Sequence, residues 1–276
     1  MPPRVRLLQG WTGQLIALLP EVRVTQVRPL ALFVVGMVWA GRVNVRAVAA
    51  ALPLAVADAS IDQRLRRWLV NERVRVDVLW RALLPRLLAS RADQDVLVVL
   101  DPTPHNGEAT ILMLSLVCRR RTLPVAWRVL PQQTAWPRPQ IDELRELFAE
   151  VAAALPANCA VTVMGDRGLP SAEVVDACRA VGWDARFRLS ADARQGHSVR
   201  LADGRVRPIW DLVTGPGQRW TGAVEVFTAA NWRPMELTIR PRPGPDRAVA
   251  PRVHPPERRG TGARVPAPRP RGSYRR

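Results

Sequence analysis

The spacing of apolar positions divides the chain into a helical first third and a β-containing remainder. Val45, Val48, Ala49 and Leu52 recur at helical spacing, and Pro53 marks where that helix stops. A second amphipathic helix follows, with Ile61, Leu65, Trp68 and Leu69 on one face and Arg64, Arg66 and Arg67 toward the other. Ser60 and Gln63 stand at capping-box spacing and predict its start.

From Asp95 the period changes. Residues 96–100 form a continuous apolar run of the kind found in strands buried on both faces, and the run ends at Asp101. Two further strands, 111–118 and 125–130, follow at hairpin-like separations, with Arg119, Arg120 and Arg121 exposed between them. The pattern then predicts a helix over 141–155, with Ile141, Leu144, Phe148, Val151 and Leu155 on one face. Pro139 lies near its start, and Asp142 and Glu143 in its first turn. Residues 160–164 read as a strand closed by Gly165 and Asp166. Ser171 then caps a helix whose Val174, Val175, Cys178 and Val181 face inward, with Gly182 at its end. A last strand is expected over 184–189.

Strand, strand, strand, helix, strand, helix, strand is the element order of a ribonuclease H-like domain. The expected fold class is therefore α/β, a ribonuclease H-like mixed sheet with flanking helices over 93–189, preceded by a helical N-terminal region over 1–92. Residues 190–239, with turn signals at Asp203-Gly204 and Gly215-Pro216-Gly217, are expected to form a β-rich insertion of short antiparallel strands. Residues 240–276 contain 11 Arg and 9 Pro and no Leu, Ile, Phe, Met or Trp, so a disordered tail is expected there.

Charge changes the picture. The formal net charge is +17, a field that concentrates polyanions, nucleic acid first among them. Ribosome association or an anionic membrane surface would suit the same charge. All 41 basic residues are Arg, which a GC-rich genome explains, and guanidinium pairs well with phosphate oxygens. The tail holds 11 Arg against two acids, so about half of the excess sits there. The longest apolar run, residues 30–40, reads as a buried helix and falls short of the about 20 residues that cross a bilayer; no membrane partner is expected. No signal peptide is read in the basic start MPPRVR. Cys118, Cys159 and Cys178 form no CxxC pair, and His105, His197 and His254 no ligand spacing. Reduced core thiols in a cytoplasm are the expectation.

Asp101 and Asp166 carry the candidate chemistry. If their strands lie side by side and parallel, both carboxylates emerge at one sheet edge, where their repulsion is relieved by a cation. All-oxygen ligation selects Mg²⁺ or Mn²⁺, and two such ions would support in-line attack on phosphorus. Each Asp also has a plainer reading: Asp101 precedes Pro102 as a turn opener, and Asp166 within Gly-Asp-Arg-Gly suits a turn. Arg64, Arg66, Arg67, Arg119, Arg120, Arg121 and Arg167 are candidate DNA-backbone contacts, or solvated surface. Trp210, Trp220 and Trp232 could stack on an unpaired base or fill the core.

The stretches VLVVLDPTPHNGEATILMLSLVCRRRTLPVAWRVL, residues 96–130, and VTVMGDRGLPSAEVVDACRAVGWDARFRL, residues 161–189, resemble the two aspartate boxes of DDE transposases of the insertion sequence 4 family. The segment from Ser60, SIDQRLRRWL, is similar to the family's N-terminal helical region. The resemblance implies that Asp101 and Asp166 are metal ligands and catalytic residues in DNA cleavage and strand transfer. It also implies double-stranded DNA with the element's terminal inverted repeats as partner, and a homodimer for synapsis. The family's third carboxylate, a Glu within Tyr-x2-Arg-x3-Glu-x6-Lys, has no counterpart: the chain has no Lys, its one Tyr is Tyr274, and Glu173, Glu225, Glu236 and Glu257 lie in other contexts. Glu236 follows Asn231-Trp232-Arg233-Pro234, which resembles the end of the family's insertion.

An Arg/Pro-rich stretch without large apolar residues is what GC-rich DNA yields when read out of frame. The reading is thus a transposase copy frameshifted near Thr238 to Arg240 and inactive for want of its Glu. The alternatives are a non-catalytic DNA-binding remnant and a regulatory short product. Translating the other downstream frames of the gene is expected to reveal the Tyr-Arg-Glu-Lys signature; its absence from every frame would overturn the frameshift.

Overall fold

The computed structural model describes residues 2–132, 134–136, 138–189, 197–213, 218–227, 232–241 and 249–254. Five helices come first: α1 (Pro3–Leu18), α2 (Val24–Ala40), α3 (Val45–Ala51), α4 (Asp58–Leu69) and α5 (Val76–Leu88). The first four close over Leu8, Val35, Val48, Ala49, Leu52, Ile61 and Leu65. Gly36 allows the α2–α3 contact, because a Cβ there would stand 2.6 Å from Val48 Cγ1. Asn44 caps α3 by accepting from the Ala47 N–H.

Three expectations for this region change. α4 starts at Asp58, with Ala57 as an N-cap that offers no side-chain bond, so Ser60 lies inside the first turn and caps nothing. The Asp58 charge at the positive helix end serves instead. Leu69 is half exposed rather than on the packed face. The apolar run of α2 is buried on one side only, at Val27, Ala31, Val35 and Gly36, while Val38 is 74% exposed. No single helix among the described residues is long and apolar enough to cross a membrane.

Helix α5 joins the two halves. Its Leu79 packs with Leu19, Val22 and Val27 under the α1–α2 turn, whereas Leu84 and Leu88 enter the core of the sheet. Trp80 Nε1 donates to the Val125 carbonyl at 2.6 Å, and its ring lies 5.4 Å from that of Trp127.

The remainder is α/β: a mixed sheet with flanking helices. Its strands are β1 (Asp95–His105), β2 (Ala109–Cys118), β3 (Arg121–Pro131), β4 (Ala160–Gly165), β5 (Asp184–Arg188), β6 (Ser198–Leu201), β7 (Val206–Pro208), β8 (Trp220–Val226), β9 (Arg233–Pro241) and β10 (Val249–His254). They form one sheet in the order β3-β2-β1-β4-β5-β10-β9-β8-β6-β7. β1, β4 and β5 are parallel, and the other pairings are antiparallel. Helices α6 (Gln140–Ala154) and α7 (Ala172–Ala180) supply the crossovers. The Ser171 hydroxyl caps α7 by accepting from the Val174 N–H at 3.2 Å, and Gly182 takes the left-handed conformation expected after the helix.

The sheet is not buried on both faces. In β1, Val96, Val98 and Leu100 are buried, whereas Leu97 is 38% exposed, Val99 half-buried and Asp101 exposed. The buried series joins Leu144, Leu147, Phe148 and Val151 of α6 and Val174, Val175 and Cys178 of α7 in one cluster. On the opposite face Val129 is 65% exposed. An apolar run cannot by itself reveal which alternate members are covered.

Two boundaries also change. Residues of the expected insertion continue the same sheet through β10, and Arg240 and Pro241 belong to β9 rather than to a tail. Val249–His254 pairs with both β5 and β9, so backbone hydrogen bonding orders a stretch too poor in apolar residues to build a core. The Gly215-Pro216-Gly217 turn and residues 255–276 lie outside the described residues. The described cysteines are unpaired, and burial pushes the Cys178 thiol up to about 12.

Arg233 of β9 binds both carboxylate oxygens of Asp176 on α7, at 2.8 and 2.6 Å, and Arg179 donates to the Pro234 carbonyl. The hydrogen bonds from Arg233 hold the Asp176 carboxyl below its ordinary value. A depressed carboxylate contributes stability above the unfolded-state pKa of about 3.9 and loses it as pH falls through the folded-state value. Denaturant titrations from pH 7 to 2.5 are expected to show Asp176→Asn less stable at pH 7, with the difference from the parent chain shrinking below about pH 4.

Candidate functional site

The site is built by strand register. β1 and β4 run parallel through Leu100↔Gly165, and the next residues on the two strands are Asp101 and Asp166. Neighbouring strands lie about 4.8 Å apart, so the two Asp backbones are lateral neighbours at one sheet edge. β1 does not end at Asp101 as its apolar run suggested: it continues against β2, from Asp101↔Met113 to His105↔Ala109. Asp101 marks instead the point where β1 loses its parallel neighbour. Pro102 and Pro104, lacking N–H groups, fit a strand that is unpaired on that side.

Side-chain facing follows from alternation. Asp101 belongs with Leu97 and Val99 to the more open face. In β5, Ala185 and Phe187 are buried, while Asp184, Arg186 and Arg188 are exposed. Asp166 Oδ1 lies 3.7 Å from Arg188 NH1, which sets Asp166 on that same face. Thr103 Oγ1 donates to Asp101 Oδ2 at 3.2 Å and fixes one carboxylate oxygen. Across the sheet the register reads Asp101, Asp166, Arg188, and then Arg252 of β10, which stands opposite Arg188.

Arg186 and Arg188 were not among the residues singled out from sequence. The alternation in Asp184-Ala-Arg-Phe-Arg188 was the available signal: polar residues at every second position place both guanidiniums on one face. Arg167, exposed in the turn after Asp166, joins the same edge. Arg119, Arg120 and Arg121 do not. Their hairpin follows Cys118, at the opposite end of β1, and six residues along the strand place it about 20 Å from Asp101. Arg64, Arg66 and Arg67 are exposed on α4, which packs on α2 and α3, and Arg66 pairs with Asp62 at 2.8 Å. The register therefore gathers Asp101, Asp166, Arg167, Arg186 and Arg188 and leaves the other six arginines elsewhere.

Two carboxylates of this kind suit one hard divalent cation that keeps several waters, the usual habit of Mg²⁺. Among the described residues no group of three or more His, Cys, Asp or Glu side chains is placed to share an ion, so the donors for a two-ion centre are not assembled. Glu173 accepts a hydrogen bond from Ser171 in the first turn of α7, and Glu225 pairs with Arg200. Glu236 sits on β9, separated from β4 by β5 and β10. Trp232 lies against Arg200, 5.3 Å from the guanidinium carbon to the ring centre, and Trp220 packs over Gly222 at the edge of the core.

Gly165 sets the approach to Asp166. A Cβ at 165 would stand 2.9 Å from the Phe187 ring and 3.2 Å from Leu169, while one at Gly168 would meet open space. Gly165→Ala is expected to lower unfolding free energy by about 1–3 kcal/mol in denaturant melts through overpacking. Gly168→Ala should stay within about 0.5 kcal/mol of the parent chain. Compared with known protein families and with curated proteins, the sequence matches none.

Proposed function

We propose that this chain is a DDE transposase of the insertion sequence 4 type, built on a ribonuclease H-like domain with a helical N-terminal DNA-binding region, and catalytically incomplete. The observation that carries the reading is the register that makes Asp101 and Asp166 lateral neighbours at the carboxyl ends of parallel β1 and β4. Two exposed carboxylates side by side repel each other and favour a shared divalent cation.

Asp101 and Asp166 would hold Mg²⁺ or Mn²⁺, which when bound lends Lewis acidity to a phosphodiester oxygen and acidifies a coordinated water. Thr103 orients the Asp101 carboxylate. Arg167, Arg186 and Arg188 offset phosphate charge on the neighbouring strand and turn. The open sheet face leaves this edge accessible to a duplex. In-line strand cleavage needs charge stabilisation on both the entering and the leaving oxygen, and among the described residues no third carboxylate joins Asp101 and Asp166 to hold a second ion.

The intended substrate is double-stranded DNA at the element's terminal inverted repeats, brought together by a homodimer in a bacterial cytoplasm. A second reading, a DNA-binding remnant or regulatory short product, is favoured by one feature: the Arg188 guanidinium stands 3.7 Å from Asp166 Oδ1, and a cation there must compete with it.

Purified chain incubated with labelled element-end duplex and Mg²⁺ is expected to bind in a salt-sensitive way, with a slope of about −0.9 in log affinity against log salt per phosphate contacted, and not to nick. Nicking that disappears in Asp101→Ala would show a competent enzyme and overturn the incompleteness. Absence of any duplex binding would overturn the transposase reading as a whole.

A further inference from the structure

Away from the carboxylate edge, a concavity of about 570 Å³ opens between the α1–α2 turn and the α4–α5 link. Val22 and Leu79 form its apolar floor, both over 90% buried. Its rim carries Arg23, Arg73 and Arg75, with Glu21 as the one acid lining it. The two segments are fastened together rather than apposed by chance. Gln26 Nε2 donates to the Arg73 carbonyl at 2.8 Å and Trp68 Nε1 donates to the Gln26 carbonyl at 3.1 Å, while within the α4–α5 link the Asn71 side chain accepts from the Arg73 N–H.

Arg75 is held by Asp77 through two hydrogen bonds, at 3.0 and 2.8 Å. Arg23 and Arg73 are exposed, and no acid pairs with either among the described residues. Arg23 and Arg73 line the same hollow, where an anion would relieve the repulsion of like charges, and their planar forks match the oxygens of a phosphate. α2 opens at this hollow with Arg23 as its N-cap, no side-chain cap and no acid in its first turn, so the positive end of a 17-residue helix adds to the same field. Residues 1–92 hold 14 Arg and five acids, which keeps the surroundings cationic.

We infer that this hollow is a phosphate-binding site that seats one backbone phosphodiester of duplex DNA, with Arg23 and Arg73 as its ligands. The assignment rests on the DNA-binding part of the proposed function and is independent of the metal edge. It also differs from the exposed arginine face of α4, which the sequence pattern favours.

The test is duplex affinity of the full chain, measured by fluorescence anisotropy from 50 to 300 mM salt. Arg23→Ala/Arg73→Ala is expected to weaken binding about equally for all sequences and to make the log–log salt slope shallower by about 1, one phosphate's worth. Arg23→Lys/Arg73→Lys should retain the parent slope, since the charges remain, and its circular dichroism and melting should match those of the Ala pair. An unchanged slope in the Ala variant would overturn the site while leaving the metal-edge reading standing. So would stabilisation of the parent chain by inorganic phosphate that disappears in the Ala variant while the duplex slope stays the same, because the hollow would then serve free anions. If the parent chain binds no duplex, the site falls together with the transposase reading.

Discussion

Parallel pairing of β1 with β4 is the constraint on which the architecture turns, because parallel strands cannot be joined by a hairpin. The chain leaves β1, forms the β2–β3 meander outward from it, and returns through α6 to lay β4 along the free side of β1. Phe148 and Leu147 of α6 then share one buried cluster with Val98, Leu100 and Val163, and burial holds the crossover in place. α7 repeats the step from β4 to β5. Since these crossover helices pack into one cluster with Leu84 and Leu88 of α5, the core grows on one face and the other is left to solvent and to polar side chains.

The same geometry positions the chemistry. Parallel register leaves the residues that follow the last β1–β4 pair side by side, so Asp101 and Asp166 are lateral neighbours without any attraction between them being required. β5 adds Arg188 to the row, so that two carboxylates and a guanidinium follow one another on three adjacent strands. The buried helix side is tuned differently: Arg128 and Arg138 gather Glu143, Glu146 and Glu150 along α6, which keeps charge paired where it approaches the core.

The helices and strands between Asp95 and Arg188 were legible in the sequence, for identifiable reasons. Amphipathic spacing marked α6 and α7, Ser171 marked its cap, and the apolar runs at 96–100 and 160–164 marked β1 and β4. The capping-box spacing of Ser60 misled because Asp58, two residues earlier, already suits the helix start. The strand at Val249–His254 was illegible because its order comes from backbone hydrogen bonds to β5 and β9, which leave no hydrophobic trace.

Composition by itself determined the cationic balance, since that is a count of residue types. Periodicity determined where elements form, since helix and strand each fix a local repeat. Which residues become neighbours was decided only by tertiary structure. Asp101 is adjacent to Asp166 across 65 positions because β4 docks parallel to β1, whereas Arg119, Arg120 and Arg121, much nearer in sequence, are carried by the β2–β3 hairpin to the far end of the sheet. The hollow of Arg23 and Arg73 likewise exists only because Gln26 and Trp68 pin two distant turns together. Sequence spacing specifies the local repeat; lateral register and helix docking depend on long-range burial, and no short window of the chain contains that information.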